Sequence, residues 1–221
     1  MPQTRQCGRR EVQIRIDCKG EQEWLDERAK HIGASDCAAV LGVSKWKSNV
    51  DLWREKVGEP KLCVKNDAIE LGKRAEPALR ELYSAYNPHM IVDYNQYTVI
   101  YQEDLPFIAS TLDGELTDED GRKGILEIKT ALLSKKNQWA EWDGQIPNYY
   151  LTQILHQMVS TGYEFVDLYA CLTGLDGNSV IRTYRFERSD YVDDISWLIE
   201  KERDFWWCVQ NKVMPSLILA I

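Results

Sequence analysis

Basic charge is in short supply. In 221 residues, 27 Lys and Arg stand against 35 Asp and Glu, a formal net charge of −8. That balance excludes a protein that coats nucleic acid through bulk positive charge. Cysteine is scarce and scattered. Its six positions, 7, 18, 37, 63, 171 and 208, are never closer than eleven residues, so C-x-x-C pairs and zinc-ribbon spacing are missing. The six are read as free thiols of a reducing compartment, several of them buried. Long apolar runs are missing too: the uncharged stretch Cys37–Ser44 falls far short of the ~20 residues of a spanning helix. The start, Met-Pro-Gln-Thr-Arg-Gln, has no apolar signal core. A cytoplasmic protein without a membrane segment is expected. Gly/Ser or Pro-rich linkers, internal repeats, G-x-G-x-x-G and the P-loop pattern do not occur, so nothing points to a nucleotide cofactor.

What is present is enough to build a core. The chain is 44% hydrophobic, with eight Trp and eleven Tyr, which argues against disorder. Its length suits one large domain or a domain with an arm. A short strand is expected at 11–16, where Val12, Ile14 and Ile16 alternate, and helices at 21–30, 36–41, 49–57 and 66–86. Ser35 or Asp36 is expected to cap the second helix and Gly42 to stop it. Gly58 and Pro60 end the third, and Pro77 is expected to kink or break the fourth near Ala75–Glu76. Strand-like runs follow at 96–101, 107–113 and 124–130, then a helix at 148–161, strands near 165–172 and 179–186, and a helix at 190–211. Residues 1–10 are expected to fray. The order α-β-β-β-α-β reads as a mixed α/β (α+β) core with meandering strands, not a doubly wound parallel sheet.

One stretch carries chemistry. Strand alternation places Glu127 and Lys129 on one face and turns Leu126 and Ile128 to the other, toward a core. Asp113 precedes Glu127 by fourteen residues across the polar turn Asp118-Glu119-Asp120-Gly121, so a hairpin return brings the two carboxylates together. Adjacent carboxylates repel unless protonated or bridged by a cation. Hard oxygen donors suit Mg²⁺ or Mn²⁺, and a neighbouring lysine can stabilise phosphoryl charge or orient an attacking water. The competing reading is a hairpin carrying a solvated salt bridge.

Four motifs in order resemble the PD-(D/E)XK nuclease superfamily, and within it the YqaJ-like viral recombinases related to phage lambda exonuclease. They are Arg28-Ala-Lys-His-Ile-Gly-Ala-Ser-Asp36 leading to Ala38–Lys47 and Leu52-Trp53; Leu71-Gly-Lys-Arg-Ala-Glu-Pro77; Ser110-Thr-Leu-Asp-Gly114 with Leu126-Glu-Ile-Lys129; and Tyr149–Met158 with Gly162. The resemblance covers about residues 24–173. It implies a restriction-endonuclease-like core, a central mixed β-sheet flanked by helices, in a single nuclease domain over 1–221. Within that domain, 1–20 would be an N-terminal arm, 21–187 the catalytic core and 188–221 a C-terminal helical segment. It implies Asp113 and Glu127 as metal ligands, the Ile128 carbonyl as a third, Glu76 as a further acid and Lys129 as the catalytic lysine. Gln153 would line the same site, and Arg28 and Ser35 would hold a DNA 5′-phosphate. An Arg fork and a hydroxyl suit a terminal phosphate. Leu112 stands where many members of the superfamily carry Pro.

The activity implied is a 5′→3′ exonuclease on duplex DNA ends, dependent on two Mg²⁺ or Mn²⁺ ions, one activating water and the other stabilising the leaving 3′-oxygen. The 3′ single strand left behind would pass to an annealing recombinase partner in the host of a phage or prophage. A ring-like homotrimer comes from the same resemblance. The alternatives are an endonuclease, an iron–sulfur repair nuclease and a non-catalytic DNA-binding subunit. The single cysteine near the C-terminus, Cys208, speaks against the iron–sulfur type, and the complete Asp113, Glu127 and Lys129 set against the non-catalytic one. Bland roles exist for several of these residues. Glu76 beside Pro77 can begin a helix, Gln153 and Gln157 can form an exposed stripe, and Arg28 can pair with Glu23 or Glu27. His31, His89 and His156 have no ligand spacing. Trp206, Trp207 and Leu217–Ile221 are core or interface. The nearest basic residues for DNA are Lys45, Lys47, Lys73, Arg74, Lys135 and Lys136.

Overall fold

The computed structural model describes residues 12–59 and 67–218. Positions 1–11, 60–66 and 219–221 lie outside, and with them Cys7, Cys63, Pro60 and the expectation for residues 1–10. In chain order the elements are β1 (Gln13–Asp17), α1 (Glu21–Ala29), β2 (Ile32–Gly33), α2 (Cys37–Val40), α3 (Asn49–Lys56), α4 (Asp67–Tyr86), β3 (Ile91–Asp93) and β4 (Thr98–Gln102). They continue with β5 (Ile108–Ser110), β6 (Gly114–Thr117), β7 (Lys123–Leu133), α5 (Lys136–Ala140), α6 (Asn148–Thr161), β8 (Phe165–Gly174), β9 (Ser179–Glu187) and α7 (Val192–Gln210). No described helix is long and apolar enough to cross a membrane.

The strands form two mixed sheets, β1-β4-β5-β2 and β3-β6-β7-β8-β9. In the larger sheet only β7 and β8 run parallel. A parallel pair needs a crossover, and here it contains α5 and α6. The sheet is covered on both faces. On one, α4 supplies Leu79 and Tyr83 against Leu116, Leu126, Ile128, Phe165 and Tyr169. On the other, Ile154, Leu155, Met158 and Val159 of α6 meet Ile125, Val166, Leu168, Ala170 and Leu172, with Ile195 and Leu198 of α7 outside them. Gly124 allows the closest approach: a β-carbon there would fall within the Phe165 ring. The smaller sheet joins through α6, where Ser160 Oγ donates to Ser110 Oγ at 2.7 Å. A third cluster of Ile32, Ala39, Val40, Leu52 and Phe205 ties α2 and α3 to α7.

Three local expectations fail. Helix α4 runs unbroken through Pro77. Proline removes one N–H, and the carbonyl it would have met belongs to Lys73, an exposed residue that solvent can reach. The buried contacts of Leu79 and Tyr83 hold the later turns in place, and Glu76 consequently sits inside the helix, not at its start. Neither Ser35 nor Asp36 caps α2 with its side chain; Asp36 Oδ2 accepts from the Gly33 N–H at 3.2 Å and pairs with Lys56 at 2.9 Å. The strand-like runs at 96–101 and 107–113 become the shorter β4 and β5, while β3, β6 and α5 arise where no element was expected. These pieces of three to five residues are too short to show a periodicity.

Candidate active site

β7 is buried on both faces and should be apolar throughout. Glu127 and Lys129 break that rule. The register Gly114↔Leu126 continues to place Asp113 opposite Glu127, so the hairpin return does bring the carboxylates to neighbouring strands. Leu126 and Ile128 enter the α4-side core, and Glu127 turns toward α6. It is only 2% exposed, so the reading of a solvated surface pair fails.

A buried carboxylate needs donors. Lys129 Nζ approaches Glu127 Oε1 at 2.5 Å. Gln153 Nε2 donates to the same oxygen at 2.5 Å, and Gln157 Nε2 donates to Oε2 at 2.5 Å. The two glutamines are therefore not an exposed stripe. They lie one helical turn apart and grip one acid between them. Asp113 Oδ2 accepts the Ile128 N–H at 2.8 Å. From α4, Arg80 Nη2 donates to Glu76 Oε1 and its Nε to the Asp113 carbonyl, both at 2.5 Å, while its guanidinium stacks 3.5 Å over Tyr94. Arg80 and Gln157 are site residues to which the sequence alone assigns no role. Their spacing of four from Glu76 and Gln153 was the available signal.

The electrostatics are those of crowded acids. Burial, then repulsion from Glu127, pushes the Asp113 carboxyl well above its ordinary value; Lys129 and the Ile128 N–H oppose this. Glu76 is raised for the same two reasons, against the pull of Arg80. Burial works against the Lys129 cation, but Glu127 and Asp113 outweigh it and hold the ammonium above its usual range. Three acids against Lys129 and Arg80 leave an excess of negative charge that a cation would relieve.

Glu76, Asp113, Glu127, Lys129 and Gln153 line one cleft of about 1560 Å³, which also reaches Arg28, Ser35, Lys45, Trp46, Lys47 and Tyr149; Arg80 and Gln157 do not border it. All eight of Arg28, Ser35, Glu76, Asp113, Glu127, Ile128, Lys129 and Gln153 border it. The Arg28 guanidinium lies 4.4 Å over the Trp24 ring, not on a helix neighbour's carboxylate; Glu27 instead holds Lys30 and His31, and Glu23 accepts the Lys19 N–H. Burial lowers the Arg28 pKa, with Asp36 opposing. Of the six expected basic residues, Lys45 and Lys47 border the cleft; Lys73, Arg74, Lys135 and Lys136 do not.

The YqaJ-like viral recombinase domain model matches residues 23–164. A curated relative, the uncharacterized protein YqaJ of Bacillus subtilis (strain 168), is 29% identical over 200 residues, or 90% of this chain. The chain spans 59% of that relative's length. An alkaline exonuclease (LHK-Exo) from Laribacter hongkongensis superposes with a TM-score of 0.66 at 22% identity, covering 87% of this chain and 94% of that one. A phage related exonuclease from Haemophilus somnus 129PT gives 0.54 at 13% identity, covering 82% and 96%. At such identities the likeness is one of fold.

Proposed function

Since the chain belongs to the YqaJ-like viral recombinase family, we propose that it is a metal-dependent deoxyribonuclease that digests duplex DNA from 5′-phosphorylated ends in the 5′→3′ direction. The observation that carries this reading is the single cleft in which three carboxylates and Lys129 share a wall with Arg28 and Ser35. Asp113, Glu127, Glu76 and the Ile128 carbonyl make an all-oxygen donor set, which fits Mg²⁺ or Mn²⁺ and not a soft metal. Two ions held there would supply Lewis acidity toward the phosphoryl oxygens and lower the pKa of bound water.

The chain's own groups divide the remaining work. Gln153 and Gln157 fix both oxygens of Glu127. Lys129 keeps its proton under the influence of Glu127 and Asp113 and can donate to a phosphate oxygen where charge develops. Arg80 orients Glu76 while holding the backbone of Asp113. Arg28 and Ser35 receive the terminal 5′-phosphate, which sets polarity. The product is a 3′ single strand for an annealing recombinase, and a ring-like homotrimer would keep the enzyme on the duplex. The whole chain acts as one catalytic unit.

Digestion of end-labelled linear and circular duplexes with and without Mg²⁺ tests the proposal. Expected are loss of linear DNA from 5′-phosphorylated ends, an intact circle, and arrest by EDTA. Lys129→Ala should lower kcat by about 10²–10³-fold while DNA binding persists. Full activity in that variant, or in EDTA, overturns the metal and lysine assignments. Nicking of the circle makes the protein an endonuclease, and equal rates on 5′-hydroxyl ends remove the phosphate pocket.

A further inference from the structure

Away from the cleft, α2, α6 and α7 each send one side chain to a common point in the core. Cys37, His156 and Glu202 are fully buried, and one ligand atom from each lies within 4.8 Å of the others. The proposed nuclease chemistry uses none of them. Two details shape what this cluster can bind. His156 Nε2 faces the Ala109 carbonyl at 3.0 Å. A carbonyl can only accept, so Nε2 carries a proton, and Nδ1 is the nitrogen left to face Glu202 Oε1 at 2.6 Å. This backbone-anchored imidazole is how metal-ligating histidines are oriented. The other carboxylate oxygen, Glu202 Oε2, is buried with no nitrogen or hydroxyl donor; the group beside the carboxylate is the Cys37 thiol, which burial and Glu202 together hold in its protonated form.

We propose that Cys37, His156 and Glu202 form a structural zinc site that staples α2, α6 and α7 together. A thiolate, an imidazole and a carboxylate are the donor types of tetrahedral Zn²⁺ and not of Mg²⁺. Binding exchanges protons for metal: Cys37 gives up its thiol proton and His156 its Nδ1 proton. The two anionic ligands then neutralise the dication, which a dry interior requires. The staple would join two helices that border the cleft, α2 through Ala38 and α6 through Gln153. It would hold α2, just past Arg28 and Ser35, against α6, which carries Gln153 and Gln157. The spacing of Cys37, His156 and Glu202 along the chain gave no hint of this, because each ligand lies on a different helix.

The full chain, purified without chelators and exchanged into Mg²⁺ buffer, should retain an equimolar amount of zinc by elemental analysis. Metal-free chain given Co²⁺ should show the intense near-ultraviolet thiolate-to-cobalt band together with the visible bands of tetrahedral Co²⁺. Cys37→Ser should abolish the near-ultraviolet band and Glu202→Gln the equimolar zinc. Glu127→Gln, which alters the acids of the cleft, should keep both. A wild-type chain that retains no zinc and gives no thiolate–cobalt band overturns the site and leaves a His–Glu ion pair beside a thiol. That outcome is read on the wild type, so it stands even where a core variant fails to fold. Zinc retained equally by Cys37→Ser and Glu202→Gln overturns it as well. None of these readouts depends on nuclease activity.

Discussion

Glu127 concentrates the physics of the cleft in one side chain. Charge buried this deeply is unstable unless each oxygen is served, and Lys129, Gln153 and Gln157 serve both. Gln157 touches no solvent, so its contribution is to fix the angle at which Glu127 meets whatever binds in the cleft. Groups that orient a metal-binding carboxylate are worth about 10–100-fold in activity or metal affinity. Gln157→Ala is therefore expected to lower kcat on an end-labelled duplex by that factor with little change in KM and an unaltered circular-dichroism spectrum. Wild-type kcat in the variant would reduce Gln157 to packing. Arg80 has the corresponding place for Glu76, and its two-point grip on Glu76 and the Asp113 carbonyl is one that lysine cannot reproduce.

Among the elements, β1 and β6 belong to different sheets yet are joined by a charge pair. Arg15 binds both oxygens of Glu115, at 3.0 and 2.5 Å, and Tyr163 donates to the same carboxylate at 2.6 Å. Burial alone would raise the Glu115 carboxyl, but the hydrogen bonds from Arg15 and Tyr163 outweigh it and hold it below the usual range. A carboxyl depressed in the folded state stabilises above its unfolded pKa of about 4.3. That stability is lost as pH falls through the lower folded value. Glu115→Gln should thus cost about 1–2 kcal/mol near neutrality. In urea denaturation the gap to wild type should narrow as pH falls below about 4.3, the unfolded value, and through the lower folded one. A gap that is as wide in acid as at neutrality would mean that the pair contributes shape and not charge. Helix α4 carries a different lesson. Its Pro77 is a break signal on any local reading, yet the helix continues because Leu79 and Tyr83 are held in the core beneath the sheet.

Across the whole molecule the charge balance is acidic, and under the proposed function the cleft bordered by Arg28, Lys45 and Lys47 is where DNA would bind. The far end of the chain returns to the same region of the fold. Asn49, 2% exposed, donates to the Ser216 carbonyl at 2.8 Å and accepts the Ile218 N–H at 3.0 Å. Ile218 also fills the space beside Gly42, whose φ of +73° suits glycine. One buried amide thus pins the tail to the start of α3. Asn49→Ala leaves both backbone groups without it and should cost about 1–3 kcal/mol. Limited proteolysis should then clip the tail first; a clipping rate equal to that of wild type would show that Ile218 alone anchors it.

The sequence by itself determined the directions within elements: the alternation that turns Glu127 and Lys129 away from Leu126 and Ile128, the hairpin that returns Asp113, and the helix over 148–161. These rest on periods of 2 and 3.6 residues, which a single segment expresses. Its ordered motifs also carried the family. Only the tertiary structure decided that α4 stays whole, that Gln157 and Arg80 hold Glu127 and Glu76, and that Cys37, His156 and Glu202 meet. Those outcomes depend on which faces of distant elements are pressed together in the core. A local pattern fixes which way a side chain points along its own helix or strand, and packing fixes what it finds there.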